Sequence, residues 1–598
     1  LELRANTVTV QEMMTMKNLL RYLICSFSAL IVASVCSVKA SNTHVSAASD
    51  YTGGRILAVN DDGMRYSGCG LLGLSDYLLG KTVPTEQSYR RFMQNDDDTV
   101  DILDLIKLKS KLISSSQTPV SVSHFGSTFI EAWLANDYSE EQWQTTINEW
   151  KALGITSVII GDTVLRETNG YFNTFYKSEL VNSPENVSMG GRMHYDSVDK
   201  ILSHCQNAGI KCFVSLGMDS DFWNVNICRH DMLNADGSYA KYGKGQEAFY
   251  KMMSDLIPYT HEIYDTYAEK YPDAFYGWYF SPEISNSADF DNDDSRAIGV
   301  DTLSYVLNMF INEINKMDPD MPLMLSPYVN IKKEATWCTH SSAVNGLFWE
   351  DVMRKTDFRM GDILAPQDSV GATGMTLENL AEWTKAYRIA VDNASKGMKL
   401  WSNAESFRFY IDLPERKWAE LTQSSFVSTL IQQLELAEPY VDNFTSCSLS
   451  TYYNSVSVGK GFLNSYIHYI NYGVPDMTPP EIPDTFDVST INLSGLSSPV
   501  MKLSFTGASD NFGIARAEIY KNGKFFTYRV ATRWQTWENN VNTGISEPNL
   551  FFDSDFDIFN DSQVYEIVLY DCTGNASENI FIKVTAENGI LNAEEIFK

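Results

Sequence analysis

At 598 residues, with 44% hydrophobic and 20% charged side chains, the chain is long enough for several globular domains and has neither fibrous nor disordered composition. A formal net charge of −30 and a pI near 4.6 exclude nucleic acid and anionic membrane surfaces as natural partners. The 13% aromatic content suits large cores and also supplies faces that stack on sugar rings.

Residues 1–40 read as a secretory signal. Lys17 and Arg21 form its positive region, Leu23 to Val35 its apolar run, and Val38-Lys39-Ala40 supplies small residues for cleavage. The apolar run is short for a membrane span, so no membrane insertion is expected after signal removal. The expected location is extracellular, or at the cell surface through a scaffold. Cys25 and Cys36 leave with the signal. Cys69, Cys205, Cys212, Cys228, Cys338, Cys447 and Cys572 are scattered, which suggests neither a disulfide framework nor zinc.

Residues 54–114 contain two acidic loops about 35 residues apart. The second runs Met93-Gln94-Asn95-Asp96-Asp97-Asp98-Thr99 and on to Asp104, leading into helical spacing at Leu105, Leu108 and Leu112. An EF-hand-like loop sets oxygen ligands at alternating positions and closes on an acid, because calcium takes six or more hard oxygens. Asn95, Asp97, the Thr99 carbonyl and Asp104 fit that pattern, as do Asn60 and Asp62 in the first loop. The pair resembles a dockerin, which implies a small helical calcium-binding module and a cohesin-bearing scaffold protein as partner. Three departures stand against the dockerin pattern. Ala58 and Met93 occupy the first ligand position, Asp98 replaces the usual glycine, and the first loop ends on Gly70. A plain helical pair with acidic loops is the alternative.

A Ser/Thr/Pro linker at 114–119 leads into residues 120–475, where short apolar runs alternate with amphipathic stretches. That alternation predicts a (β/α)8 TIM barrel. The predicted strands are 128–133, 157–161, 211–216, 275–280, 322–326, 362–368, 399–405 and a last one near 446–449. Between them, Ser139 with Gln142 forms a capping box. Ile147, Trp150 and Leu153 mark an apolar helix face, and Gly154 stops that helix. His194 to Ala208, stopped by Gly209, repeats the unit. No phosphate loop, metalloprotease motif or G-x-S-x-G is present.

Strand C-termini in a barrel converge on the active-site mouth. Glu283 follows the fourth strand and Glu405 ends the seventh, on opposite sides. Two carboxyls flanking a sugar are what hydrolysis of a glycosidic bond requires, one protonated and one ionised. Glu283 and Glu405 are therefore the candidate catalytic pair, with no cofactor needed for catalysis. Glu131, Gln367, Asp368 and Asn403 are candidate ligands for sugar hydroxyls; Trp133, Trp223, Tyr279, Tyr328 and Trp401 are candidate stacking platforms. Each has a structural alternative: a helix-start acid, a brace at the barrel rim, or a core aromatic. Placement of one glutamate on strand 4 and one on strand 7 resembles the large clan of retaining glycosidases. The stretches Gly126–Trp133, Gly277-Trp278-Tyr279 with Pro282-Glu283, Ile363–Asp368 with Gly371, and Trp401–Phe407 resemble a gut-bacterial barrel family of unknown function linked to glycoside hydrolysis. That resemblance implies a carbohydrate substrate; a non-catalytic carbohydrate-binding barrel is the alternative reading.

Thr478-Pro479-Pro480 marks a second boundary, and 484–598 alternates as an all-β domain. Asp510-Asn511-Phe512-Gly513, Asn522-Gly523 and Asp571-Cys572-Thr573-Gly574-Asn575 resemble fibronectin-III/immunoglobulin-like sandwiches attached to bacterial glycosidases. The resemblance implies a β-sandwich that either binds carbohydrate or acts as a spacer on the barrel's side.

Overall fold

Ser139 opens the first barrel helix as its sequence predicts. Its Oγ accepts the Gln142 amide at 3.2 Å, and its own amide donates to Gln142 Oε1 at 2.8 Å. The helix, α1 (Glu140–Ala152), buries Trp143, Ile147 and Trp150 on one face. Each such aliphatic or aromatic burial is worth about 1.5–3 kcal/mol. This computed structural model describes residues 122–132, 138–240, 243–410, 421–492, 498–530 and 549–596, with short pieces between 48 and 108. The 1–40 signal, most of 54–114, the 114–119 linker and Trp133 lie outside the described residues, as do Asn60, Asp62, Asn95 and Asp97.

Eight parallel strands alternate with helices. They are β1 (Ser127–Glu131), β2 (Ser157–Gly161), β3 (Lys211–Ser215), β4 (Phe275–Phe280), β5 (Leu323–Leu325), β6 (Ile363–Leu364), β7 (Lys399–Glu405) and β8 (Asn443–Cys447). The ladder runs in chain order from β1 to β8. The ends of the sheet then meet: the Gly126 amide donates to the Phe444 carbonyl at 3.1 Å, and Thr128 Oγ1 donates to the Ser446 carbonyl at 3.3 Å. A nearly closed barrel results, consistent with a TIM barrel. After α1, the main crossover helices are α2 (Ser197–Ala208), α3 (Ile257–Tyr267), α4 (Asp293–Met317), α5 (Ser342–Lys355), α6 (Leu377–Ala394) and α7 (Val427–Ala437), with α8 (Gly461–Tyr472) closing the series. Phe129, Ile159, Phe213, Tyr279, Met324, Ile363 and Trp401 fill the barrel interior.

Most strand bounds shift by one or two residues, and three boundaries differ more. The last strand begins three residues earlier than 446, and Leu449 starts a helical turn instead. Its Thr445 and Ser446 are fully buried polar residues in the closing seam, so it carries no apolar run to read. The second helix starts at Ser197, not His194. Asp196 caps it by accepting the Asp199 amide, while the His194 amide donates to the Thr174 carbonyl at 2.8 Å. The sixth strand shrinks to Ile363–Leu364, because Pro366 cannot continue the ladder.

The C-terminal region forms two antiparallel sheets. One contains β9 (Thr485–Ile491), β10 (Val500–Thr506) and β13 (Leu550–Asp553). The other contains β11 (Ile514–Lys521), β12 (Lys524–Val530), β14 (Asn560–Asp571), β15 (Ile580–Glu587) and β16 (Ile590–Glu595). Alternate residues from both, such as Met501, Leu503 and Phe505 against Ile567 and Leu569, form a separate core. This sandwich docks on the barrel at the start of α7, where the Val427 and Ser428 amides donate to the Cys572 and Thr573 carbonyls at 3.1 Å.

In the N-terminal region, Ala58–Val59 pairs antiparallel with Arg65–Tyr66. Residues 104–108 are helical; Asp104 is buried and accepts the Asp101 amide at 2.9 Å, whereas Thr99 is exposed. The six described cysteines are free thiols. Among the described residues no helix is long and apolar enough to cross a membrane.

Candidate active site

The C-terminal strand ends enclose a small cleft lined by acidic, amide and aromatic side chains. Its walls include Glu131 at the end of β1, Asp162 just after β2, Glu283 after β4, and Cys447 at the end of β8. Trp223, Tyr279 and Phe129 supply aromatic surface, and Gln367 and Asn403 supply amides. Tyr279 packs edge-on against Phe129 with centroids 5.2 Å apart, which fixes the ring. Trp223 is half-buried in a short 3-10 turn after β3. Glu131, Trp223, Tyr279, Glu283, Gln367 and Asn403 are thus brought together.

Glu283 presents its carboxyl to this cleft. Burial pushes it from its ordinary 4.5 up to about 8, offset in part by a hydrogen bond from Gln367, with the Asp162 charge adding to the rise. Its Oε2 is enclosed and without a protein partner. A carboxyl in this state is a proton donor at neutral pH. Gln367 and Asn403 are fastened from behind: Asn403 Nδ2 donates to Ser326 Oγ at 2.9 Å, which leaves the buried Asn403 Oδ1 without a protein partner. Close approach also shapes the wall. A Cβ on Gly161 would stand 3.1 Å from Glu131 Oε2, so only glycine leaves that carboxyl its full room. Asp162 holds a left-handed φ of 56°, a strained backbone at the rim.

Glu405 is not among the residues that line the cleft. It is 2% exposed, and its Oε2 accepts the Ala372 amide at 2.6 Å. Burial, then the Asp368 charge, and then Glu283, push its carboxyl well above the ordinary carboxylate range. Asp368, beside it, is raised by burial to about 7. Asp368 Oδ1 accepts the Glu405 and Val370 amides at 3.2 Å, and Oδ2 accepts Gln433 Nε2 at 2.6 Å. Burial and mutual repulsion disfavour ionising both carboxyls together, which favours one of them holding a proton near neutral pH. The loop that covers Glu405 depends on Gly371: a Cβ there would stand 2.1 Å from the Phe407 carbonyl oxygen and 2.9 Å from the Glu405 Cβ. Cys447 lies amid all these acids; burial raises its thiol, and the charges of Glu131, Glu405, Glu283 and Asp368 raise it further.

Two expected platforms are corrected. Trp401 packs in the barrel interior, edge-on to Phe213 at 6.1 Å, and lines no part of the cleft. Tyr328 is 3% exposed, its hydroxyl accepting from Asn330 Nδ2 at 3.3 Å, and it offers no open face. Asp162 and Gln433 were not expected. Asp162 follows an apolar strand and was within reach of the strand-end argument. Gln433 sits mid-helix on α7 among apolar neighbours and carries no sequence signal.

Residues 126–457 match the family model DUF4434, a domain of unknown function. No curated protein sequence matches the chain. Among solved structures, it is similar to a β-galactosidase from the psychrophilic Marinomonas ef1, at 9% identity over 54% of this chain and 53% of that one, with a TM-score of 0.34. An intracellular xylanase from Thermoanaerobacterium saccharolyticum is similar at 13% identity, over 54% of this chain and 84% of that one, with a TM-score of 0.30. A Bacteroides uniformis β-glucuronidase gives 10% identity over 75% of this chain and 44% of that one, with a TM-score of 0.29. The chain spans about half the length of that β-galactosidase.

Proposed function

The chain belongs to the DUF4434 family, and on that premise we propose that its barrel is a glycoside hydrolase with Glu283 as proton donor and Glu405 as the second carboxylate. One observation carries the reading. Glu283 offers a carboxyl held protonated to about pH 8 at the wall of a cleft that also has aromatic faces and fixed amides. Hydrolysis of an acetal needs an acid that keeps its proton at working pH and an ionised carboxylate nearby. Glu283 meets the first need. Glu405, oriented by the Ala372 amide, meets the second when Asp368 holds the proton and leaves Glu405 ionised. In the retaining sequence, Glu283 protonates the glycosidic oxygen as the C1–O bond breaks and Glu405, which must first be uncovered by the loop around Gly371, bonds to C1. Water activated by Glu283 then releases the sugar.

The same proposal makes the substrate a plant or host polysaccharide or oligosaccharide. It includes export by the 1–40 signal and a dockerin-like module that takes calcium through Asn60, Asp62, Asn95, Asp97, Thr99 and Asp104 and docks to a cohesin-bearing scaffold. It also treats the fibronectin-III-like sandwich as a spacer packed on α7.

A specific observation favours a second reading, a non-catalytic carbohydrate-binding barrel. Asp368 accepts three N–H donors, which draws the pair's negative charge to Asp368 and its proton to Glu405. The Glu405→Gln variant separates the two. Lost hydrolysis with retained sugar binding, followed by calorimetry, supports catalysis; hydrolysis at the wild-type rate removes Glu405 from the chemistry.

A further inference from the structure

Where the chain leaves the barrel, three acids from separate segments converge. Asp476 lies after α8, Asp510 in the β10–β11 turn, and Asp571 at the end of β14. One carboxylate oxygen from each lies within 4.8 Å of the others. Hydrogen bonds account for only part of this oxygen set. Asp510 Oδ1 accepts the Phe512 and Gly513 amides at 2.8 and 3.0 Å. Asp571 Oδ1 accepts the Gly574 and Asn575 amides, and Asp571 Oδ2 accepts Asn575 Nδ2 at 2.7 Å. Asp476 Oδ1 accepts from Thr478 and Asn511. Left over are Asp476 Oδ2 and Asp510 Oδ2, both sealed from solvent and without a protein partner. Asp476 as a whole is only 6% exposed.

Buried carboxylate oxygens without donors, packed against like charges, are unfavourable unless something positive lies among them. We propose that Asp476, Asp510 and Asp571 bind a calcium ion that fastens the sandwich to the barrel. An all-oxygen donor set selects a hard cation over zinc or copper, and carboxylates from two loops and one strand end suit calcium's larger, irregular shell better than magnesium's tight octahedron. Asp476 belongs to the connector, and its carbonyl already accepts Asn575 Nδ2 of the sandwich at 3.0 Å. An ion there crosslinks connector and sandwich at the point where the two domains join.

The test uses the full chain, stripped with EDTA and titrated with calcium chloride by calorimetry, with thermal melting followed in parallel. The wild type is expected to bind with a dissociation constant of about 10⁻³ M or tighter. Its melting midpoint rises by several degrees at saturating calcium. Asp510→Asn and Asp476→Asn, each verified as folded by circular dichroism, lose that rise. Asp97→Asn, in the N-terminal loops, keeps it, which separates this site from the dockerin-like one. A wild-type midpoint indifferent to calcium overturns the proposal. So does a rise that survives in both Asp510→Asn and Asp476→Asn, or one that magnesium reproduces in full.

Discussion

Replacing Glu283 by Gln removes one proton and nearly nothing else, so the account makes two linked predictions for it. Folded, the acid keeps its proton up to about pH 8; unfolded, it releases it near 4.5. The wild type therefore loses stability relative to the variant as pH rises through that window, because only the unfolded chain gives up the proton there. Moving an acid over that span is worth roughly 5 kcal/mol. The carboxyl borders a cleft that admits water, which brings the expected gain for Glu283→Gln above pH 8 down to about 2 kcal/mol. Scanning calorimetry from pH 5 to 9 measures it: the variant's midpoint should pull ahead by a few degrees as pH rises. Activity should move the other way. Loss of a general acid costs about 10²–10⁴ in rate on a glycoside with an alcohol leaving group. On a nitrophenyl glycoside, whose leaving group departs unprotonated, the loss in kcat/KM should be much smaller, while kcat still falls because Glu283 also activates the hydrolytic water. A midpoint difference that is flat from pH 5 to 9, or equal losses in kcat/KM on both substrates, would refute the assignment of Glu283 as a buried proton donor.

Other consequences follow from the same geometry. The wild-type kcat/KM should fall on its alkaline side near pH 8 as Glu283 ionises, and Glu283→Gln should lack that limb. Gln433→Leu removes the 2.6 Å donor to Asp368 and should destabilise the fold by about 1–3 kcal/mol, read from denaturant melts near neutral pH. Trp223→Ala and Trp401→Ala should behave oppositely. The first, on the cleft wall, raises KM several-fold with the fold intact. The second, in the barrel interior, costs about 3–5 kcal/mol of stability before any kinetic effect is seen.

The parts of this structure that were legible in the sequence are those where one physical signal acts alone. Val158-Ile159-Ile160 and Phe275–Phe280 are apolar runs between helix stops, and their strand bounds come out as read. The closing strand carries Thr445 and Ser446 into a buried seam, where the close approach of Asn443 to Gly126 matters more than hydrophobicity. No periodicity reports that. In the site, the strand-end argument found Glu131 and Glu283, and applied evenly it reaches Asp162. It also explains the Trp401 error. Trp401 lies four residues before Glu405 on β7, about 13 Å deeper at 3.3 Å per residue, well below the mouth. The depth of Glu405 was hidden for another reason: it is set by the loop over Gly371 and by Gln433 from α7, neither of which the strand itself encodes.

The most direct test of paired-carboxylate hydrolysis is a proton NMR time course of wild type, Glu283→Gln and Glu405→Gln against a broad panel of oligosaccharides. The account predicts that the wild type releases a new reducing end first in the anomeric configuration of its substrate, and that both variants bind the same sugar with hydrolysis reduced at least about 10²-fold. A wild type that binds a glycan from the panel yet cleaves none of them contradicts it.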